Sequence, residues 1–234
     1  MKSIKATGIL ILILITSAFT LSAQDLCKTW LPSYGDELVY DSYDKKGRHY
    51  STYSIRLMED EMRGDTIVYY VQNKLDYDDS EESIRNEIEY KCIDNKFILD
   101  MNTFVKEEQM AAFKNSEIEV DINALFFPEK LEPGMKLNDG YISLKVVNSP
   151  IKITSNTKIY NRKVESIETI VLPAGTFEAY KISSEIESKM SLAKVYIKSV
   201  SWYVAGIGSV KDESFNKKGK LIGSNELKEI IKHR

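Results

Sequence analysis

The chain is dominated by short apolar runs of period two, cut at intervals by turn signals, and this restricts it to antiparallel sheet. In "IRNEIEYKC", Ile84, Ile88, Tyr90 and Cys92 fall on one side and Arg85, Glu87, Glu89 and Lys91 on the other. "EIEVDI" sets Ile118, Val120 and Ile122 against Glu117, Glu119 and Asp121. Such strands have one dry face and one wet face, as antiparallel sheets do. "TIVYYVQNKL" is apolar on both sides from Ile67 to Val71, which predicts a central, covered strand.

The punctuation between the strands carries its own information. "YDKKGR" at 43–48 and "FNKKGK" at 215–220 repeat one pattern, an aromatic, Asp or Asn, two lysines, glycine and a base. An Asp or Asn opening a type I turn caps the turn's own backbone, and a glycine in fourth place takes the left-handed conformation that closes a hairpin through a bulge. The lysines then point to solvent. A phosphate cradle would set a glycine-rich loop at a helix N-terminus, and no helix is signalled beside either stretch. Glu61-Met62-Arg63-Gly64 and Leu172-Pro173-Ala174-Gly175 repeat the spacing, and Asp94-Asn95 and Asp139-Gly140 add shorter turn signals. "AGIGSVK" around Gly206 and Gly208 leads from strand to strand and reads as a bulge or tight turn.

Between Lys194 and Val204, Val195 and Ile197 take one parity and Val200, Trp202 and Val204 the other, which predicts a bulge near Ser199. Long hairpins with bulges favour a strongly curved antiparallel sheet or partial barrel over a flat sandwich. One segment departs from the pattern. "NTFVKEEQMAAFKN" begins with a cap at Asn102 or Thr103 and predicts a short amphipathic helix near 103–115, between two hairpin halves. "FFPEKLEPGMKLNDG" after it reads as an irregular loop, and Leu227, Ile230 and Ile231 in the tail fit helical spacing slightly better than a strand.

The N-terminus reads as an export signal. Lys2 and Lys5 precede an apolar run from Ile9 to Ile15, and a small-residue stretch ends at Ala23. This is the layout of a signal peptide over 1–23, too short for a membrane-spanning helix. Residues 24–234 are then expected to form a single exported domain, periplasmic or secreted, with no further membrane segment. Removing the leader takes two lysines with it and leaves a chain more acidic than the formal −3 of the whole sequence. Scattered lysines on an acidic chain are poor partners for nucleic acid.

The two cysteines, Cys27 and Cys92, are expected to pair as a disulfide in an oxidising compartment. A buried free thiol and a lipid-modified Cys27 are the alternatives, the second opposed by Gln24, Asp25 and Leu26, which are not the small apolar run that a lipoprotein signal needs.

Signatures of catalysis are absent. His49 and His233 lie in no metal-binding spacing, and no nucleophile elbow, phosphate loop or dinucleotide motif occurs. "DYDDSEE" at 76–82 alternates acids as a calcium loop does, but Glu81 stands where that loop needs glycine, so it reads as a solvated acidic turn. No cofactor and no metal are expected. Fourteen tyrosines raise the prospect of a sugar surface, but most lie in alternating strands, where aromatics pack across neighbours.

Three stretches together, "LPAGTFEAYKI" at 172–182, "WYVAGIGSVKDESFNKKGKLIG" at 202–223 and "YDKKGR", resemble a TapB-like family of exported proteins of unknown function. Ala179 stands where members often have cysteine. The resemblance implies an outline similar to periplasmic lipoprotein carriers, a half-open barrel closed by a helix over an apolar hollow. It carries no catalytic residues. The expectation is therefore a noncatalytic binding protein for an apolar or amphipathic, lipid-like ligand, lined by Phe104, Phe113, Phe126, Phe127 and Trp202. The alternative is an interaction module that docks another envelope protein and has no small-molecule pocket.

Overall fold

The structure, a computed structural model, describes residues 27–99, 118–128, 130–147, 154–190 and 193–233. The expected signal peptide and the expected helix near 103–115, with Phe104 and Phe113, lie outside the described residues. The described residues form one antiparallel sheet of thirteen strands: β1 (Glu37–Asp44), β2 (His49–Arg63), β3 (Thr66–Tyr77), β4 (Ser83–Ile93), β5 (Lys96–Leu99), β6 (Ile118–Asn123), β7 (Leu125–Phe127), β8 (Gly140–Val146), β9 (Thr154–Leu172), β10 (Gly175–Met190), β11 (Ala193–Val204), β12 (Gly208–Asn216) and β13 (Leu221–Ile231). Their spatial order is β6-β8-β9-β10-β11-β12-β13-β1-β2-β3-β4-β5-β7.

The expected curvature is present and goes nearly to closure. The two outer strands of the sheet, β6 and β7, are consecutive in the chain and separated only by Ala124. Asn123 pairs with Tyr141 of β8, and two residues later Leu125 pairs with Leu99 of β5. One run of chain therefore joins both edges into a barrel. Gly140 permits the join, because a Cβ there would lie 2.6 Å from Leu125 Cδ2 and 2.9 Å from the Asn123 carbonyl. Asp139-Gly140 is thus the entry to a strand and not a turn, and glycine is needed there for space.

Side chains complete the seam. Asn138 Nδ2 donates to the Ala124 carbonyl at 2.8 Å, its Oδ1 accepts from the Phe126 amide at 3.0 Å, and Arg162 Nη1 donates to the Phe126 and Asn138 carbonyls at 3.4 and 3.0 Å. These bonds satisfy backbone groups on the edge of β7 that no strand covers, and such groups are costly when buried bare.

The two lysine-bearing turns are superimposable in their chemistry. Asp44 Oδ1 accepts from the Lys46 and Arg48 amides at 2.7 and 3.1 Å, and Asn216 Oδ1 accepts from the Lys218 and Lys220 amides at 2.9 and 3.1 Å. Gly47 and Gly219 take φ of 71° and 73°, and each is followed by a register shift, at Tyr43↔His49 and Phe215↔Leu221. Hydrogen bonds from the Arg48 side chain and from the Arg48 and Lys46 amides hold the Asp44 carboxyl down to about 2.

One other hairpin turns later than the sequence reading placed it. Glu61, Met62 and Arg63 remain in strand, and the turn is the two-residue loop Gly64-Asp65, with Gly64 at φ 62°. Pro173-Ala174 and Asp94-Asn95 turn where expected, each as a two-residue loop, and the φ values of 50° and 58° at Asp94 and Asn95 mark the primed turn that suits the twist of a hairpin.

The expected bulge near Ser199 is not there: β10 and β11 pair without a shift from Tyr180↔Tyr203 to Met190↔Ala193. The change of parity has another cause. Val195 and Ile197 share the inward face with Ser199, Ser201 and Tyr203, while Val200, Trp202 and Val204 lie on the opposite face and enter a second apolar cluster. The bulge sits one strand over, where Trp202 pairs with Lys211 and Tyr203 with Ser209. The tail is a strand and not helical: β13 is bonded to β12 on one side and β1 on the other, and two ladders outweigh a marginal helical period. "FF" at 126–127 belongs to β7, and only the stretch after it is irregular.

One end of the barrel is filled. The N-terminal turn brings Cys27, Trp30 and Leu31 into a cluster with Leu57, Ile67, Tyr69, Phe97, Phe127 and Val164, joined by Leu131 and Leu137 from the irregular stretch. Cys27 is disulfide-bonded to Cys92 of β4, with Cα atoms 6.0 Å apart, which resolves the alternatives for these cysteines. Trp30 Nε1 donates to the Pro128 carbonyl at 3.0 Å and the Gly206 amide to the Thr29 carbonyl at 2.7 Å. The wall is incomplete elsewhere. Among the described residues, Ser83–Tyr90 of β4 and all of β6 have a partner strand on one edge alone. Val120 and Ile122, which share a face with buried Leu144 and Ile142, remain 50% and 43% exposed at this opening.

Two outcomes follow for denaturant unfolding. Gly47→Val and Gly219→Val should each cost about 1 kcal/mol or more, since a β-branched residue resists positive φ, while Ser in place of Lys45 and Lys46, or of Lys217 and Lys218, should change stability little. Equal tolerance at glycine and lysine would contradict the turn assignment. Gly140→Ala should cost roughly 1–3 kcal/mol as overpacking at the seam, and a neutral substitution there would contradict the closure.

Candidate functional site

The barrel keeps unfilled space inside. A first cavity of about 190 Å³ lies against the N-terminal turn and is walled mainly by rings, among them Trp30, Tyr40, Tyr53, Tyr90, Phe97 and Tyr203. A second, of about 170 Å³, is lined by Arg162, Asp212, Ser184, Ser199 and Ser201 together with apolar residues that include Ile159, Ile182 and Phe127. Leu99 and Tyr203 line both. The site is therefore two adjoining chambers, one aromatic and one mixed, with those two side chains between them.

The sheet register explains the ring wall. Tyr40 of β1 faces Tyr53 of β2 as a direct cross-strand pair, and their rings stack at 4.6 Å with 4° between planes. Tyr40 donates its hydroxyl to the Ser209 carbonyl at 2.8 Å. Tyr90 packs on Phe97 at 5.3 Å, and Tyr203 on Phe127 at 4.7 Å. Rings packed against one another in this way resist collapse into the space they border. Burial, and next the charge of Asp212, pushes the Tyr40 and Tyr203 hydroxyls far above the ordinary phenol range, so they stay neutral donors.

Two ionisable groups mark the second chamber. Asp212 accepts from Ser209 Oγ at 2.9 Å; burial raises its carboxyl pKa, while hydrogen bonds from Ser201 and Ser209 oppose the rise. Arg162, only 4% exposed, is tied at Nη1 to the seam and lies 5.1 Å from the Phe127 ring centroid. Burial lowers its pKa without bringing it near neutrality, since a guanidinium does not deprotonate in proteins.

Of the side chains proposed from sequence, Phe127 lies at this site, 1% exposed and packed against Trp30 as well as Tyr203. Phe126 points the other way, with the Lys96 ammonium 5.3 Å from its ring. Trp202 lies on the face of β11 opposite Tyr203, between Lys181 and Lys211, and donates Nε1–H to Glu168 at 2.6 Å. Arg162, Asp212 and the tyrosines were missed. For Arg162 a signal existed, since it sits two residues before buried Val164 on the inward parity, beyond the irregularity at Asn161 (φ 53°).

Histidine and the acidic cluster go elsewhere. His49 bridges Asp78 at 2.8 Å and Asp41 at 3.2 Å, and Asp76 holds Lys74 and Ser83. A hollow on the outer face near Arg56, Lys74 and Arg85 has its charges matched in part by Glu37 and Asp76.

The whole arrangement has known relatives. A Bacteroides fragilis protein inferred to be exported, with a YmcC-like fold, superposes with a TM-score of 0.66 at 17% identity, over 87% of this chain and 99% of that one. A Parabacteroides distasonis protein inferred to be a lipoprotein superposes with a TM-score of 0.68 at 18% identity, over 87% and 98%. At such identities the likeness is one of fold. No curated protein matches the chain. Residues 33–227, most of the sequence and all but the last few residues of the barrel, match the DUF3108-like family, and the chain belongs to that family.

Proposed function

We propose that the protein is a noncatalytic carrier of the cell envelope that holds an apolar or amphipathic, lipid-like molecule inside its barrel. The observation that carries this reading is the pair of chambers meeting at Leu99 and Tyr203, lined by rings that their neighbours hold apart. Together the chambers reach the lower end of the range for small-ligand sites, roughly 300–1,000 Å³. Apolar concavities with a few converging polar groups are the usual form of such sites. Export, and the narrower kinship with TapB-like proteins, belong to the same reading. Export is supported by the leader pattern at 1–23 and by the descriptions of the two structural relatives, and the TapB-like kinship by the stretches at 172–182 and 202–223.

A second reading has its own support. The backbone edges of β4 and β6 that no strand covers among the described residues, with Val120 and Ile122 beside them, are what a partner protein could use to add a strand.

A neutral dye whose emission rises in apolar surroundings separates the two. The carrier reading expects saturable binding, and Leu99→Trp, which puts a larger side chain where the chambers meet, should weaken it at least tenfold with little change in melting temperature. Absence of saturable binding to the unaltered protein would give first place to the interaction module.

A further inference from the structure

The two chambers differ in charge, and the difference points to the kind of molecule they hold. Arg162 carries a full positive charge though only 4% exposed. Its described hydrogen-bond partners are neutral, the Phe126 and Asn138 carbonyls and Asn138 Oδ1, and all three are reached from Nη1. No described carboxylate forms an ion pair with it. Asp139 acts on it at a distance only. Asp212, which lines the same chamber, is engaged by the Ser209 hydroxyl and forms no ion pair with Arg162 among the described residues. Buried charges are ordinarily paired, and an unpaired one is costly unless something else supplies the counter-charge.

Seam closure accounts for Nη1, which fastens Phe126 and Asn138. A lysine or an amide could make such bonds without the remainder of a guanidinium. Arginine places further N–H donors in a fixed planar fork, the geometry that matches a carboxylate. Beyond Leu99 and Tyr203 the space becomes ring-lined and offers little to a charge but much to a hydrocarbon chain.

We infer that Arg162 binds the carboxylate of a single-chain amphiphile, a long-chain fatty acid, whose tail passes Leu99 and Tyr203 into the aromatic chamber. This rests on the carrier reading and adds the chemical class of its cargo. Arg162 is a binding residue here, with Phe127 and Ser184 beside the head and Tyr40, Tyr53 and Tyr90 along the tail.

The test is displacement of the neutral dye by three competitors of matched parts: palmitate, hexadecanol with the same chain and no charge, and acetate with the head alone. Palmitate should displace at least tenfold better than hexadecanol, and acetate should not displace. Arg162→Lys, which keeps the charge and can still reach the seam, should lower palmitate affinity about tenfold and leave hexadecanol unchanged. The competitor series uses the unaltered protein, so it stands even where an Arg162 variant fails to fold. Equal displacement by palmitate and hexadecanol, or displacement by hexadecanol alone, would overturn the assignment to Arg162 and leave the carrier reading in place. Failure of the dye itself to bind would overturn both.

Discussion

A single run of chain, Ile118 to Phe127, forms both edges of a thirteen-stranded sheet, and that continuity obliges the sheet to curve back on itself. A twisted sheet of so many strands rarely stays open and flat, since about ten is the common limit before it curls or splits. Here the join at Ala124 sets where it curls. Three details depend on the join: the missing side chain at Gly140, the Asn138 amide that stands in for a strand, and the Arg162 guanidinium that caps the Phe126 carbonyl. Each would be unexplained in an open sheet.

Closure of many strands also makes an interior wider than side chains alone can fill, because barrel diameter grows with strand number. The protein fills one end with its own N-terminal turn, stapled by Cys27–Cys92 and locked by Trp30, and leaves the middle hollow. What lines the hollow follows from register. Tyrosines from neighbouring strands meet face to face, while serines and one aspartate occupy the inward face of β11 and β12 beyond them. Polarity is thus graded along the interior, with the N-terminal turn adding Trp30 to the aromatic end.

Much of the fold was legible because its signals are local. Period-two alternation located the strands, and the Asp44 and Asn216 turns were readable to the hydrogen bond, since an Asx cap and a left-handed glycine act within five residues. Curvature could be inferred, and so could the disulfide. Errors arose where distant partners decide. The tail became a strand because β1 and β12 flank it, and the Val195–Trp202 parity change reflected a buried Trp202 on one face of β11 and an exposed Val195 on the other, with no shift against β10. The site was the least legible part. Phe127 reaches it and Phe126 does not, because β7 turns adjacent residues to opposite faces, and Arg162 follows the inward parity of Val164 but not that of Ile159, since the irregularity at Asn161 lies between.

Native mass spectrometry of the protein purified from its own envelope, without detergent exchange, tests directly whether the hollow is a binding site. A population carrying one noncovalent adduct, with the mass of a single-chain amphiphile and released by gentle collisional activation, is the predicted result. Protein that appears at its bare mass alone, in preparations where a known lipid carrier retains its cargo, would contradict a ligand-holding barrel and leave the interior as packing space.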